Sequence, residues 1–151
     1  MNIAEWGNAT WFIFHTLAYK LKDGYTSEIG NLCKHFMLIC GNLPCPDCRQ
    51  HAISILSKSN IKNIKTRDQL IHFLLQFHNI VNRRLKKSEF SIEEHNKLYS
   101  RSYTVNIINN FINIMSKNAN NSKAMLDTFS RKRVVSNFVK YLKAQQHIFN
   151  P

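Results

Sequence analysis

The chain holds 151 residues with 44% apolar content, the size of one ordinary domain with enough apolar side chain for one core. Only four glycines and three prolines interrupt it, which favours helices and argues against a turn-rich β architecture. A formal charge of +12 raises the prospect of an acidic partner, but the basic clusters at Arg83, Arg84, Lys86, Lys87 and at Arg131, Lys132, Arg133 accompany no nucleic-acid-binding motif, so a solvated basic surface is expected.

Glu5, Asn8 and His15 interrupt the apolar stretch that a secretory leader would need, and no run approaches the roughly 18 apolar residues of a membrane helix. The expectation is a soluble intracellular protein without a membrane partner, in a compartment that keeps thiols reduced. Four cysteines in such a place point to catalysis or metal binding more than to structural staples.

In chain order, Trp11, Phe14, His15 and Ala18 recur at i, i+3, i+4 and i+7 and predict a helix over about 3–22, closed near Gly24. Ile29, Leu32, Cys33, Phe36, Met37 and Cys40 carry the same period for three turns, so a second helix buries Cys33 and Cys40. Pro46 suits the first position of a third helix running to about Ser57. Thr66 with Gln69 forms a capping box for a fourth helix through "RDQLIHFLLQFHNIVNRRL", and Ser91 with Glu94 repeats the device before a fifth. The fifth helix, or a pair of helices, runs through "KLYSRSYTVNIINNFINIM"; the asparagines of 117–123 break the pattern. A last helix spans about 124–148 through Val135, Phe138, Val139 and Leu142. No segment alternates as a strand would, and the fold class is all-α.

Three constellations carry chemistry. In "NLPCPDCRQHA" the Cys45-Pro-Asp-Cys48 pair lies at a helix N-terminus, where unpaired N–H groups and the helix dipole stabilise a thiolate. By themselves these residues leave open a redox dithiol, an inert pair, and a zinc site of Cys40, Cys45, Cys48 and His51, cramped within twelve residues. A thioredoxin fold would need a preceding strand, which is missing from the pattern. Cys33 and Cys40, about 10 Å apart along one helix at about 1.5 Å per residue, cannot bond to each other and read as core. In "HNIVN", His78, Asn79 and Asn82 place polar groups on an otherwise apolar helix and need partners, a bound polar ligand being one solution. The third is the aromatic first helix, "EWGNATWFIFHTLA".

Together, "WGxxxW…H", "LPCPDCRQHA" and "FHNIVNRRLKK", in this order on a helical chain, resemble the Erv/ALR family of FAD-linked sulfhydryl oxidases over about residues 4–103, and most of all the small versions from large cytoplasmic DNA viruses. The resemblance implies a four-helix bundle cradling FAD with a short fifth helix, usually a homodimer, and Cys45 and Cys48 as the catalytic pair. Cys45 would exchange with a dithiol protein substrate or a thioredoxin-like relay protein. Cys48 would lie against the flavin, with oxygen as the final acceptor and hydrogen peroxide released.

The cofactor contacts implied are Gly7, Trp11, His15 and Tyr19 on the first helix, His51 after the dithiol, and His78, Asn79, Val81, Asn82, Leu85, Lys86 and Lys87 on the fourth. Either Tyr99 or Tyr103 would pack on the adenine. No metal is implied. Unlike many relatives, the chain has no cysteine after Cys48 to tie down the fifth helix. Residues 1–103 are expected as the oxidase domain and 104–151 as a helical extension packed on it. A viral enzyme of this class would form disulfides in virion proteins in the host cytoplasm. The reading from a different class is a zinc-stabilised helical module for nucleic acid.

Overall fold

A computed structural model describes residues 2–117 and 125–151. The asparagine break expected at 117–123 falls, from residue 118 onward, outside the described residues. The described chain forms seven helices: α1 (Ile3–Lys20), α2 (Ile29–Cys40), α3 (Pro46–Ser57), α4 (Arg67–Arg84), α5 (Ile92–Tyr99), α6 (Thr104–Met115) and α7 (Met125–Ala144). An isolated bridge between Leu21 and Phe149 is the sole β-like pairing among the described residues. The fold is all-α.

Local chemistry sets most boundaries. The Asn2 side chain caps α1, and both expected capping boxes form, Thr66 with Gln69 on α4 and Ser91 with Glu94 on α5. The first helix ends at Lys20, four residues before Gly24, because Leu21 turns extended (φ −61°, ψ 123°) and pairs with the returning C-terminus. There Lys22 N–H donates to the Ile148 carbonyl at 2.9 Å and Asn150 N–H to the Lys20 carbonyl at 2.7 Å.

α1 is the central element. The expected stripe of one face becomes burial of six consecutive residues, Ile13 to Ala18. A helix buried all round needs partners on every side. Here α4 and α5 cover the face that carries His15, and α6 covers another. α7 closes over α2 and α6. Phe14, Phe36, Phe111 and Phe138, from α1, α2, α6 and α7, pack ring to ring, the Phe14–Phe36 centroids being 4.2 Å apart. Thus residues beyond 103 complete one continuous apolar core. No described helix is long and apolar enough to cross a membrane.

Candidate functional site

Pro46 opens α3, and the extended backbone of Cys45 (φ −106°, ψ 118°) sets its sulfur at the N-cap, accepting from the Cys48 N–H at 3.2 Å. Cys45 and Cys48 are joined as a disulfide with their Cα atoms 5.2 Å apart, the sole disulfide among the described residues. Arg49, the next residue, ties this corner down. It donates to the Leu43 carbonyl at 2.8 Å and pairs with Asp127 of α7 at 3.3 Å.

The two sulfurs are not equivalent. Cys48 lines a slot of about 440 Å³ that runs between α1, α3, α4 and α5, whereas Cys45 lies outside its lining. The slot walls are mostly apolar, with Trp6, Trp11, Phe77, Val81, Leu85 and Tyr99 among them, and His51, His78, Asn82, Arg84 and Lys87 add the polar groups. Gly7 also lines it, and a Cβ added there would meet no protein atom within 4 Å, so this helix position leaves its space to the slot. Asn82, 6% exposed, is one of the polar residues of α4 that line the slot. Its side-chain amide has both a donor and an acceptor to offer a ligand edge there.

Trp11 stacks on His78 with centroids 4.2 Å apart and planes 10° from parallel, making a flat aromatic surface. Beneath it runs a buried chain of hydrogen bonds: His78 Nδ1 to His15 Nε2 at 2.9 Å, His15 Nδ1 to His95 Nε2 at 2.8 Å, and His95 Nδ1 to the Tyr19 hydroxyl at 2.9 Å. Burial holds all three histidines below their usual pKa. Burial and the neighbouring His95 and His78 push His15 well down, His78 falls to about 3 with His95 and Lys87 adding to burial, and His95 falls to about 4 with help from His72. At neutral pH the three are uncharged imidazoles. His51 is also lowered, by burial and by Arg84.

Of the expected contacts, Gly7, Trp11, His51, His78, Val81, Asn82, Leu85, Lys87 and Tyr99 line the slot together. Four stand elsewhere. His15 is fully buried beneath the Trp11 and His78 rings, and Tyr19 lies farther along the histidine chain. Asn79 spends both ends of its amide on the backbone of Phe90, at 2.9 and 2.8 Å, which clamps the segment after α4 and sets Phe90 at the slot. Lys86 points out of it: α4 ends with Lys86 in the left-handed region (φ 56°), bonded back to Arg83 while Lys87 N–H reaches the Asn82 carbonyl at 2.8 Å. This turn delivers only the second lysine to the rim.

Tyr99 is 2% exposed and sits 4.4 Å from His15, whereas Tyr103 is 70% exposed. The slot thus takes Tyr99. The sequence reading omitted His95, which the structure buries at the centre of the chain. Its signal was available, since His95 and Tyr99 stand at i and i+4 behind a capping box. Among the described residues no three of His, Cys, Asp and Glu gather to hold a metal ion. Two of the four candidate zinc ligands, Cys45 and Cys48, are bonded to each other.

A family model described as the Erv1 / Alr family matches residues 8–101. A protein of Invertebrate iridescent virus 3 is 31% identical over 91 residues, 57% of this chain and 60% of that one. A FAD-linked sulfhydryl oxidase of Oryza sativa subsp. japonica is 31% identical over 98 residues, 64% of this chain and 50% of the plant protein. A FAD-linked sulfhydryl oxidase of African swine fever virus is 30% identical over 99 residues, 65% of this chain and 82% of that protein. The chain therefore spans less than two thirds of the length of the first two relatives. No solved structure matches it.

Proposed function

The chain belongs to the Erv1 / Alr family, and on that premise we propose that it is a FAD-dependent thiol oxidase that forms disulfide bonds in substrate proteins. One observation carries this reading: Cys48 of the Cys45–Cys48 disulfide lines the same mostly apolar slot that the stacked Trp11 and His78 rings wall. These residues fit the cofactor. Trp11 and His78 offer a stacking face, Asn82 a polar edge, and Arg84 and Lys87 positive charge for a pyrophosphate. When bound, FAD supplies a two-electron acceptor for the reduced cysteine pair and a route to molecular oxygen, released as hydrogen peroxide.

The protein's own steps are thiol–disulfide exchange. A substrate thiolate attacks Cys45 Sγ, forming a mixed disulfide and breaking the Cys45–Cys48 bond, with Cys48 leaving as the thiolate. A second substrate thiolate then attacks the substrate sulfur of that mixed disulfide. The substrate leaves as its disulfide, and its two electrons stay on the cysteine pair. Cys45 is a good leaving group here, because the Cys48 N–H and the positive end of α3 stabilise its thiolate.

Viral relatives support placing this reaction in the host cytoplasm on virion proteins, reached directly or through a thioredoxin-like relay. The test is the purified protein. It should carry the visible absorbance of an oxidised flavin, lose it on anaerobic addition of dithiothreitol, and consume oxygen with that dithiol. Colourless protein that cannot be loaded with FAD would overturn the proposal.

A further inference from the structure

The buried histidine chain has a direction, set at its outer end. Tyr19 donates its hydroxyl proton to Oδ1 of Asn96, an oxygen that can only accept. The Tyr19 oxygen is then free only to accept, so Nδ1 of His95, 2.9 Å away, carries a hydrogen. A neutral imidazole has one N–H, which leaves His95 Nε2 bare to accept from Nδ1 of His15 at 2.8 Å. By the same rule His15 Nε2 is bare and accepts from Nδ1 of His78 at 2.9 Å. The last nitrogen, His78 Nε2, has no partner among the described residues, and its ring lines the slot.

We propose that Tyr19, His95 and Asn96 are positioning residues that hold His78 in its Nδ1-protonated tautomer, so that the slot receives a bare acceptor nitrogen and selects a ligand presenting an N–H or O–H group there. Burial sustains the relay. His15 and His95 are 0% exposed, so no solvent competes for the intermediate bonds, and the depressed pKa of each histidine keeps it at one proton. The identity of the ligand rests on the flavin reading, in which an amine or hydroxyl of the dinucleotide is the donor; the tautomer does not. Asn96 is exposed on α5 and outside the slot lining, yet three imidazoles connect it to the slot.

The experiment is side-chain nitrogen NMR of the full chain, read beside FAD affinity. In the wild type His78 should show a protonated Nδ1 and a bare Nε2. Asn96→Leu removes the terminal acceptor from an exposed position that the fold tolerates, and should turn His78 into a mixture of tautomers with roughly five- to tenfold weaker FAD binding. Asn96→Asp keeps an acceptor oxygen and should retain both the wild-type tautomer and the affinity. Tyr19→Phe should behave as Asn96→Leu does. A wild-type His78 protonated at Nε2, or a tautomer unchanged in Asn96→Leu, would overturn the relay. If the wild type took up no FAD the oxidase reading would fall, while the contrast between the leucine and aspartate variants would still decide the relay by NMR.

Discussion

Two pairs of cysteines lie within sixteen residues, and the structure treats them oppositely. Cys33 and Cys40 sit inside α2, 4% and 3% exposed, their thiols pushed up by burial to about 11 and about 12. Cys45 and Cys48 stand at the start of α3, half-buried, with a backbone N–H aimed at sulfur. The residue type is the same. What differs is whether a thiolate would find N–H donors and a helix dipole or a dry apolar wall. Reactivity is therefore a property of the helix end, not of the cysteine count.

The strongest way to break this contrast is to remove the reactive pair. Cys45→Ser and Cys48→Ser should each reduce dithiothreitol-driven oxygen uptake to the level of buffer. Turnover surviving in both would mean that the α2 thiols carry electrons. Next in size is Phe138→Ala, which empties a fully buried site against Phe36 and Phe111 and should cost about 3–5 kcal/mol in denaturant unfolding. Because α7 lies over α2, this variant should also let an alkylating reagent reach Cys33, with the reduced Cys45 reacting at its wild-type rate.

Acid should distinguish the slot side from the α2 side. The histidines beneath the slot have folded pKa values below the unfolded value near 6.5, so the unfolded chain binds more protons as pH falls. Their contribution is complete above about pH 6.5 and is lost toward the folded values of about 3 and about 4, at up to roughly 1.4 kcal/mol per histidine per pH unit. Denaturant midpoints should therefore drop between pH 7 and pH 5, and His95→Gln should flatten that slope. The α2 thiols do not titrate in this range. The smallest effect is expected of Cys33→Ala: turnover retained, stability lower by about 1 kcal/mol. Loss of turnover with flavin still bound would show that the contrast was drawn too sharply.

Much of the local structure was legible. The boundaries of α2 and α3, both capping boxes and the buried faces of Cys33 and Cys40 follow from apolar period, proline position and Ser/Thr spacing, all short-range signals. The dithiol, "HNIVN" and the aromatic first helix were likewise visible as three separate segments. Less visible was how each side chain is used. Asn79 and Asn82 look alike on the helix, yet one is consumed by the Phe90 backbone and the other lines the slot. Lys86 and Lys87 are adjacent, and a left-handed turn sends only one to the rim.

By itself the sequence determined which segments are helices, where a reactive dithiol can form, and which family the chain resembles, because these depend on neighbours within a turn or two. Only the tertiary structure decided that α6 and α7 complete the core around α1, that Cys48 rather than Cys45 lines the slot, and that Tyr99 rather than Tyr103 closes it. It alone joined His15, His78 and His95, which lie 63 and 80 residues apart along the chain, into one line of hydrogen bonds. Direction in such a line comes from donors and acceptors meeting in space, and no periodicity along a chain records that.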